Sequence, residues 1–325
     1  MALPIVSGSW TRSNDLAISS DCRFFLTSHV GRTSRNPVYL ELYQCLPFAP
    51  ILVLGSSGKT GRRIVQRLRA RGLAVREGSR QASVRFDWDA PDTWSLALAG
   101  VERVYISFYP DLSVPTAEPT IAAFTAAAAR AGVKHLVLLS GRGEYHAERC
   151  EIVVRNSGLD FTLLRASWFA QNFSEGQLLG SVLSGVLALP AGYVREPFVD
   201  VDDIADVATA ALTESGHSGR LYDLTGPRLL NFAEAAREIS QACGRPLGYQ
   251  PLSLEHFHAG MEQEAGPEFA RMLTDLCAEV FDGRNARLGD GVQQALGRPP
   301  RDFTSFCQES AARGVWSASA SGATS

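Results

Sequence analysis

The sequence predicts an α/β fold, a doubly wound parallel sheet carrying a smaller, mainly helical C-terminal lobe. Three observations predict it. Short apolar runs alternate with amphipathic helical stretches from Ile51 onward, the pattern of βαβ units with right-handed crossovers. The first run, ILVL, stops at Gly55 and restarts as a helix, with Gly58 and Gly61 following at three-residue spacing. From Asn231 the pattern becomes mainly helical, too short and interrupted for a second sheet domain, and reads as a lid over the strand ends.

Composition narrows the class. The chain has 325 residues, 45% hydrophobic and 20% charged, with a net charge of -3, enough to bury a sizeable core. That near-neutral balance argues against nucleic acid as the main partner. No apolar run approaches membrane-spanning length, so a soluble, cytoplasmic protein is expected. The cysteines (Cys22, Cys45, Cys150, Cys243, Cys277, Cys307) form no C-x-x-C pair, which fits reduced, mostly buried thiols rather than a disulfide framework or zinc site. The expected organisation is an extension over 1–47, a nucleotide-binding domain over 48–225, a helical substrate lobe over 226–318 and a tail over 319–325. The extension is rich in Ser, Thr and Arg and lacks sustained periodicity; it reads as poorly ordered, with an upstream start codon or a targeting segment as its origin.

The glycine loop carries the first functional reading. A strand, tight turn and helix start leave backbone N–H groups unpaired, and such a turn binds anions. Gly55 lets the chain reverse, Gly58 removes a Cβ that would hold a pyrophosphate away, and Gly61 lets the helix lie close to the strand. Ser57, Lys59 and Thr60 complete the expected phosphate contacts, with Arg62 and Arg63 adding positive charge, and no acid lies between Pro50 and Arg76. The economical ligand is a dinucleotide.

The helix after the loop shows one apolar face (Ile64, Val65, Leu68) and closes at Gly72. Leu73–Glu77 is a second strand ending at Gly78-Ser79-Arg80, where a doubly wound fold presents the adenosine ribose. Arg80 and Ser79 suit a 2′-phosphate, so NADPH is the expected cofactor, with Glu77 a nearby acid. Ser83–Phe86 reads as a short third strand, with Asp87 placed to meet the adenine amino group, and Trp94 lies on a short helix ending at Gly100. Val101–Ser107 is a fourth strand that releases Phe108, Tyr109 and Pro110 into the crevice. Ala117–Ala131 is a helix, His135–Leu139 a buried strand ending at Ser140-Gly141, and Glu144–Asn156 another helix. Phe161–Leu164 is the sixth strand, leading to ASWFAQNF (Ala166–Phe173). Val199–Ile204 opens a helix with acids in its first turn, and Leu221–Leu224 is a further strand. Helices follow at Asn231–Ala242, Leu254–Gln263, Pro267–Phe281 and around Phe303–Ala312.

Hydride transfer to or from a carbonyl usually needs a positioned acid. Short-chain dehydrogenases use Tyr with Lys four residues on, but this chain has only Lys59 and Lys134, preceded at that spacing by Gly55 and Arg130. Tyr145 is followed by Arg149, a poor substitute. His135 lies in a buried strand and reads as structural, and His256 and His258, beside Glu255, do not share a helix face, so no metal site is expected.

GSSGKTGRR after a strand, Ser79-Arg80 after the next, LLSG at Leu138–Gly141, SGLDFTLLRASWFAQNF (Ser157–Phe173) and FVDVDDIADVA (Phe198–Ala208) resemble the NmrA-like, atypical short-chain dehydrogenase family. DGRNARL (Asp282–Leu288) and LGRPPRDF (Leu296–Phe303) are similar to the tail of its bacterial branch, near the festuclavine and agroclavine dehydrogenases of ergot alkaloid biosynthesis. The likeness runs from about Ile51 to Trp316. It implies an NADPH-binding Rossmann domain with a helical lobe, in a family of C=N, C=C or quinone reductases beside members that only sense NADP(H). Many members carry Pro where this chain has Ala166, and the His or Lys that some place after the fifth strand is replaced here by Ala147.

Hydride addition to an iminium carbon or a quinone makes little demand on an acid, so the missing pair favours such substrates. The expected catalytic residues are Tyr109, Ser140 and Trp168. The expected cofactor contacts are Gly55, Ser57, Gly58, Lys59, Thr60, Gly61, Ser79, Arg80, Asp87, Ser107 and Ser140. Phe108, Tyr109, Trp168 and Phe169 would frame a flat substrate by stacking and cation–π attraction, or serve as core and lid packing. Gln171 and Asn172 would orient substrate or carboxamide, or cap the helix that follows. Two functions remain: an NADPH-dependent oxidoreductase of planar apolar small molecules, and an NADP(H)-sensing regulator that binds another protein. A monomer or homodimer suits either.

Overall fold

A computed structural model describes residues 49–317. The extension and the tail lie outside the described residues, as do Cys22 and Cys45. The elements run β1 (Ile51–Leu54), α1 (Lys59–Ala70), β2 (Val75–Gly78), α2 (Trp94–Leu98), β3 (Arg103–Ile106), α3 (Ala117–Arg130), β4 (His135–Gly141), α4 (Tyr145–Arg155) and β5 (Asp160–Ala166). They continue with α5 (Asn172–Glu175), α6 (Leu179–Ser184), β6 (Val186–Leu189), α7 (Val201–Thr213), β7 (Arg220–Leu224), α8 (Phe232–Cys243) and β8 (Gly248–Pro251). The chain closes with α9 (Leu254–Ala265), α10 (Pro267–Val280), α11 (Gly291–Leu296) and α12 (Phe303–Ala312).

Six strands form one parallel sheet in the order β2-β1-β3-β4-β5-β7. The alternation of strand side chains explains its two covers. Leu52 and Leu54 of β1 pack with α2, α3 and α4 on one face, while Ile51 and Val53 pack with α1 and α7 on the other. From β1 the chain moves outward to β2, then returns to β3 on β1's other side. This reversal opens a crevice at the C-terminal ends of β1 and β3, where open α/β sheets bind ligands.

A separate aromatic core holds the lobe together. Phe173, Phe198, Phe232 and Phe303 are buried at ring separations of 5.2 to 6.1 Å. Residues 170–198 contribute to this core as well as the C-terminal stretch. β6 and β8 pair in parallel as a small second sheet of the lobe, for which the sequence pattern gives no expectation. The four-residue strand VLAL follows Gly185 in the left-handed region, and GYQP carries few apolar residues, so neither shows a strand period.

One expected strand does not form. Ser83–Phe86 makes only a single bridge, Ser79 to Arg85, and the carbonyl of Ser79 accepts the N–H groups of both Ala82 and Phe86. The chain turns too tightly for a ladder because Phe86 is pulled into a cluster with Trp88, Trp94 and Phe124. Among the described residues no helix is long and apolar enough to cross a membrane.

Candidate active site

The glycine loop is shaped by close approach. Gly55 sits at φ 66° and its carbonyl accepts the Gly58 N–H at 2.9 Å. A Cβ on Gly61 would collide with that carbonyl, and one on Gly55 would come within 3.1 Å of Ser107 Cβ. Gly58 caps α1 without a side-chain bond, and the first turn holds no acid, so the helix start is free to meet an anion. Ser57 and Gly58 are exposed at its mouth. The residues present fit a diphosphate. Ser56, which the sequence reading passed over, is buried with its Oγ unpartnered among the described residues.

Four residues near the loop are engaged elsewhere. Thr60 is buried and accepts the Tyr105 hydroxyl at 2.9 Å, which ties α1 to β3. Arg62 pairs with Glu175, and Arg63 reaches both Glu175 at 2.8 Å and Asp202 at 3.4 Å. Lys59 turns inward and donates to Asn172 Oδ1 at 2.9 Å. Burial, then the neighbouring Arg62 and Arg63, lower its pKa.

At the end of β2, Arg80 is exposed with its guanidinium 4.9 Å from the centre of the Tyr109 ring. It has no carboxylate partner among the described residues, whereas Glu77 is held by Arg69 at 2.6 Å. Ser79 precedes it, half-buried. Asp87 holds Arg85 at 2.9 Å, with that ion pair keeping its carboxyl below the usual range. Tyr109 is 62% exposed and belongs to this rim; it does not reach the cavity in which a catalytic or substrate role was expected.

That cavity, of about 310 Å³, opens between the strand ends and α10. Lys59, Ser107, Phe108, Ser140, Trp168, Phe169 and Asn172 line it together, so seven of the expected residues converge. Ser140 is buried and donates to Glu151 at 2.8 Å, and Glu151 is in turn clamped by Arg165 at 2.9 and 2.5 Å. Trp168 rests 4.8 Å from Phe281, with its Nε1 buried and unpartnered among the described residues. Gln171 stands apart: its Nε2 donates to Asp200 at 2.7 Å and its Oε1 accepts Val201 N–H at 2.8 Å. It lines a different recess of about 620 Å³ among the ion pairs of α1, α7 and α12. That recess is the larger of the two, but it lies away from the strand ends and glycine loop, so the smaller one is the chemical candidate.

The cavity also holds charged groups that sequence reasoning missed. Arg142 is 2% exposed, paired with Asp223 at 2.8 Å and donating to the Asn285 carbonyl at 2.6 Å, while Asn285 Nδ2 returns a bond to the Arg142 carbonyl at 2.9 Å. This explains DGRNARL structurally: the segment buckles the C-terminal stretch onto the end of β4. Three carboxyls line the same space, Asp111, Glu144 and Glu196. Burial raises all three pKa values. Glu196 is pushed up to about 8, with Arg142 acting against the shift. Glu144 stands well above its ordinary value, with Asp111, Glu279 and Glu151 adding to the effect. A run of ordinary-looking acids in loops gave no sequence signal for this.

His135 bonds Thr162 at 2.9 Å within the sheet, and His256 and His258 bond Ser253 and Thr274 separately.

Comparison with known proteins places the chain. Residues 55–215 match the family described as NAD(P)H-binding. The NAD(P)H azoreductase of Xenophilus azovorans is 31% identical over 81% of this chain and 98% of its own length. Agroclavine dehydrogenase of Claviceps fusiformis is 29% identical over 82% and 98%. Prestalk A differentiation protein A of Dictyostelium discoideum is 29% identical over 80% and 91%. In fold, the NADP(H)-complexed triphenylmethane reductase of Citrobacter sp. aligns with a TM-score of 0.65 at 23% identity, covering 81% of this chain and 99% of that one. A double mutant of NmrA aligns at 0.58 and 14%, covering 81% and 95%. The expected likeness to the NmrA-like and clavine dehydrogenase groups holds, and the chain belongs to the NAD(P)H-binding family, among NAD(P)H-dependent oxidoreductases.

Proposed function

We propose that this protein is an NADPH-dependent reductase of planar, apolar small molecules of the iminium, enone or quinone class. The observation that carries the reading is the convergence of the glycine cradle, the β4 end and an aromatic-walled cavity beneath α10. Bound there, the nicotinamide supplies hydride. The loop amides hold the diphosphate, and Arg80, free of any carboxylate among the described residues, favours a 2′-phosphate over a bare ribose. Phe108, Trp168 and Phe169 press a flat substrate into register, and Met272, Leu273 and Leu276 of α10 keep water from it. Relatives named for azo and agroclavine substrates support a flat, conjugated acceptor.

One observation favours a second reading. A relative as similar as the azoreductase is named for a role in differentiation, which suits an NADP(H) sensor acting through a protein partner. Steady NADPH consumption across a panel of iminium, enone and quinone acceptors decides between them. The reductase reading expects turnover with at least one class; cofactor binding without any turnover supports the sensor.

A further inference from the structure

We propose that the Glu144 side chain is the proton donor to the substrate, the acid that the missing Tyr–Lys pair leaves unassigned. This rests on the reductase reading above. Glu144 is the N-cap residue of α4, yet its side chain makes no cap bond to the helix. It folds back over Gly141 at the end of β4, where only the absence of a Cβ leaves room for its carboxyl. Its Oε2 is buried and has no hydrogen-bond partner among the described residues, and Glu144 lines the cavity together with Ser140. A buried, unpartnered acid in the wall of a substrate pocket is placed to give up a proton there.

The surrounding charges keep that proton in place until it is needed. Asp111 from the loop after β3, Glu151 on α4 and Glu279 on α10 are its acidic neighbours. The cations nearest the cavity are committed elsewhere, Lys59 to Asn172 and Arg142 to Asp223. Glu151 is neutralised by Arg165, and Glu279 accepts the Tyr145 N–H at 2.8 Å with Arg284 3.6 Å away. Burial and repulsion therefore raise the Glu144 pKa well above its ordinary value and favour the protonated form. Glu196 is a weaker candidate because Arg142 favours its ionised form.

The step balances. For an enone, the β-carbon accepts hydride from the nicotinamide and is reduced as the cofactor is oxidised. The C=C π pair shifts to give an enolate, whose α-carbon forms a C–H bond with the Glu144 proton as the Glu144 O–H bond breaks and leaves its electron pair on the carboxylate, which regains a proton from solvent. A cationic acceptor becomes neutral on hydride addition and needs no proton.

Two readouts on the full chain, wild type and Glu144→Gln, test this. Infrared difference spectra at pH 7 without cofactor are expected to show a protonated carboxyl band in wild type that Glu144→Gln lacks; no such difference overturns the proposal. With saturating NADPH, kcat for a cyclic enone is expected to fall by about 100-fold or more in Glu144→Gln, while a triarylmethyl cation is reduced within about threefold of wild type. Glu144→Asp, which keeps an acid, is expected to recover part of the enone rate. Equal slowing with both acceptors, or no slowing with the enone, overturns Glu144 as donor and leaves the reductase reading standing. Wild-type protein that reduces neither acceptor overturns that reading and the donor with it.

Discussion

The cofactor cradle and the substrate cavity meet at the end of β3, where Ser107 lies against Gly55 and lines the cavity, but they are built in opposite ways. The cradle is made of backbone: Gly55, Gly58 and Gly61 lie within seven residues and act through what they lack, a Cβ. The cavity is made of side chains drawn from the ends of β3, β4 and β5, from the segment before α7 and from α10. A local backbone motif ties function to glycine and tolerates nothing larger. An assembled cavity ties function to the distances between segments, so its chemistry depends on the ties that hold those segments, chiefly Arg142, Asp223 and Asn285.

The largest effect expected is on the assembled side. Arg142→Ala leaves Asp223 with Arg287 alone and frees the Asn285 carbonyl, which should cost about 3 kcal/mol of stability, measured by urea denaturation. A loss under about 1 kcal/mol would mean the buckle does not hold the cavity together. On the backbone side, Gly61→Ala forces a Cβ into the Gly55 carbonyl and should weaken NADPH binding by roughly 100-fold, read by calorimetry. Binding within twofold of wild type would show that α1 can shift without disturbing the loop.

Arg80→Ala comes next: NADPH should weaken by about tenfold and NADH by less than about threefold, since only one carries the 2′-phosphate. Equal weakening would remove Arg80 from that contact and leave it as a stacking partner of Tyr109. The last effect is read through pH and concerns Glu196. Its folded pKa of about 8 exceeds the ordinary value of 4.5, so between those limits the folded chain binds more protons than the unfolded one. Stability from this group is therefore present at low pH and lost as pH rises toward and through 8. Glu196→Gln should gain on wild type by up to about 4 kcal/mol between pH 5 and pH 9 in thermal unfolding, and a gap that stays constant would contradict the shift.

How much was legible follows the same division. The alternation of strands and helices, the parallel crossovers and the glycine turn after β1 are legible because each is encoded within a few residues of itself: an apolar run, a glycine, an amphipathic stretch. The position of Arg80 at the end of β2 is legible because that place is fixed by the strand before it, while its contact with a 2′-phosphate stays a proposal. What failed depended on partners far along the chain. Ser83–Phe86 has strand composition, but Phe86 is drawn into an aromatic cluster whose other members lie up to Phe124. Gln171 has the right position after β5, yet Asp200 and Val201 take both ends of its amide. Tyr109 leaves the crevice for Arg80. Glu144 looked like any acid at a helix start; its burial is decided by Gly141 and by α10, more than 120 residues away.

Isothermal calorimetry of the purified chain with NADPH and with NADH tests the central claim most directly, that a dinucleotide's diphosphate rests on the amides after β1. The account predicts one NADPH bound per chain, with NADH at least about tenfold weaker. Absence of heat with NADPH and NADP⁺ at millimolar concentration would contradict it.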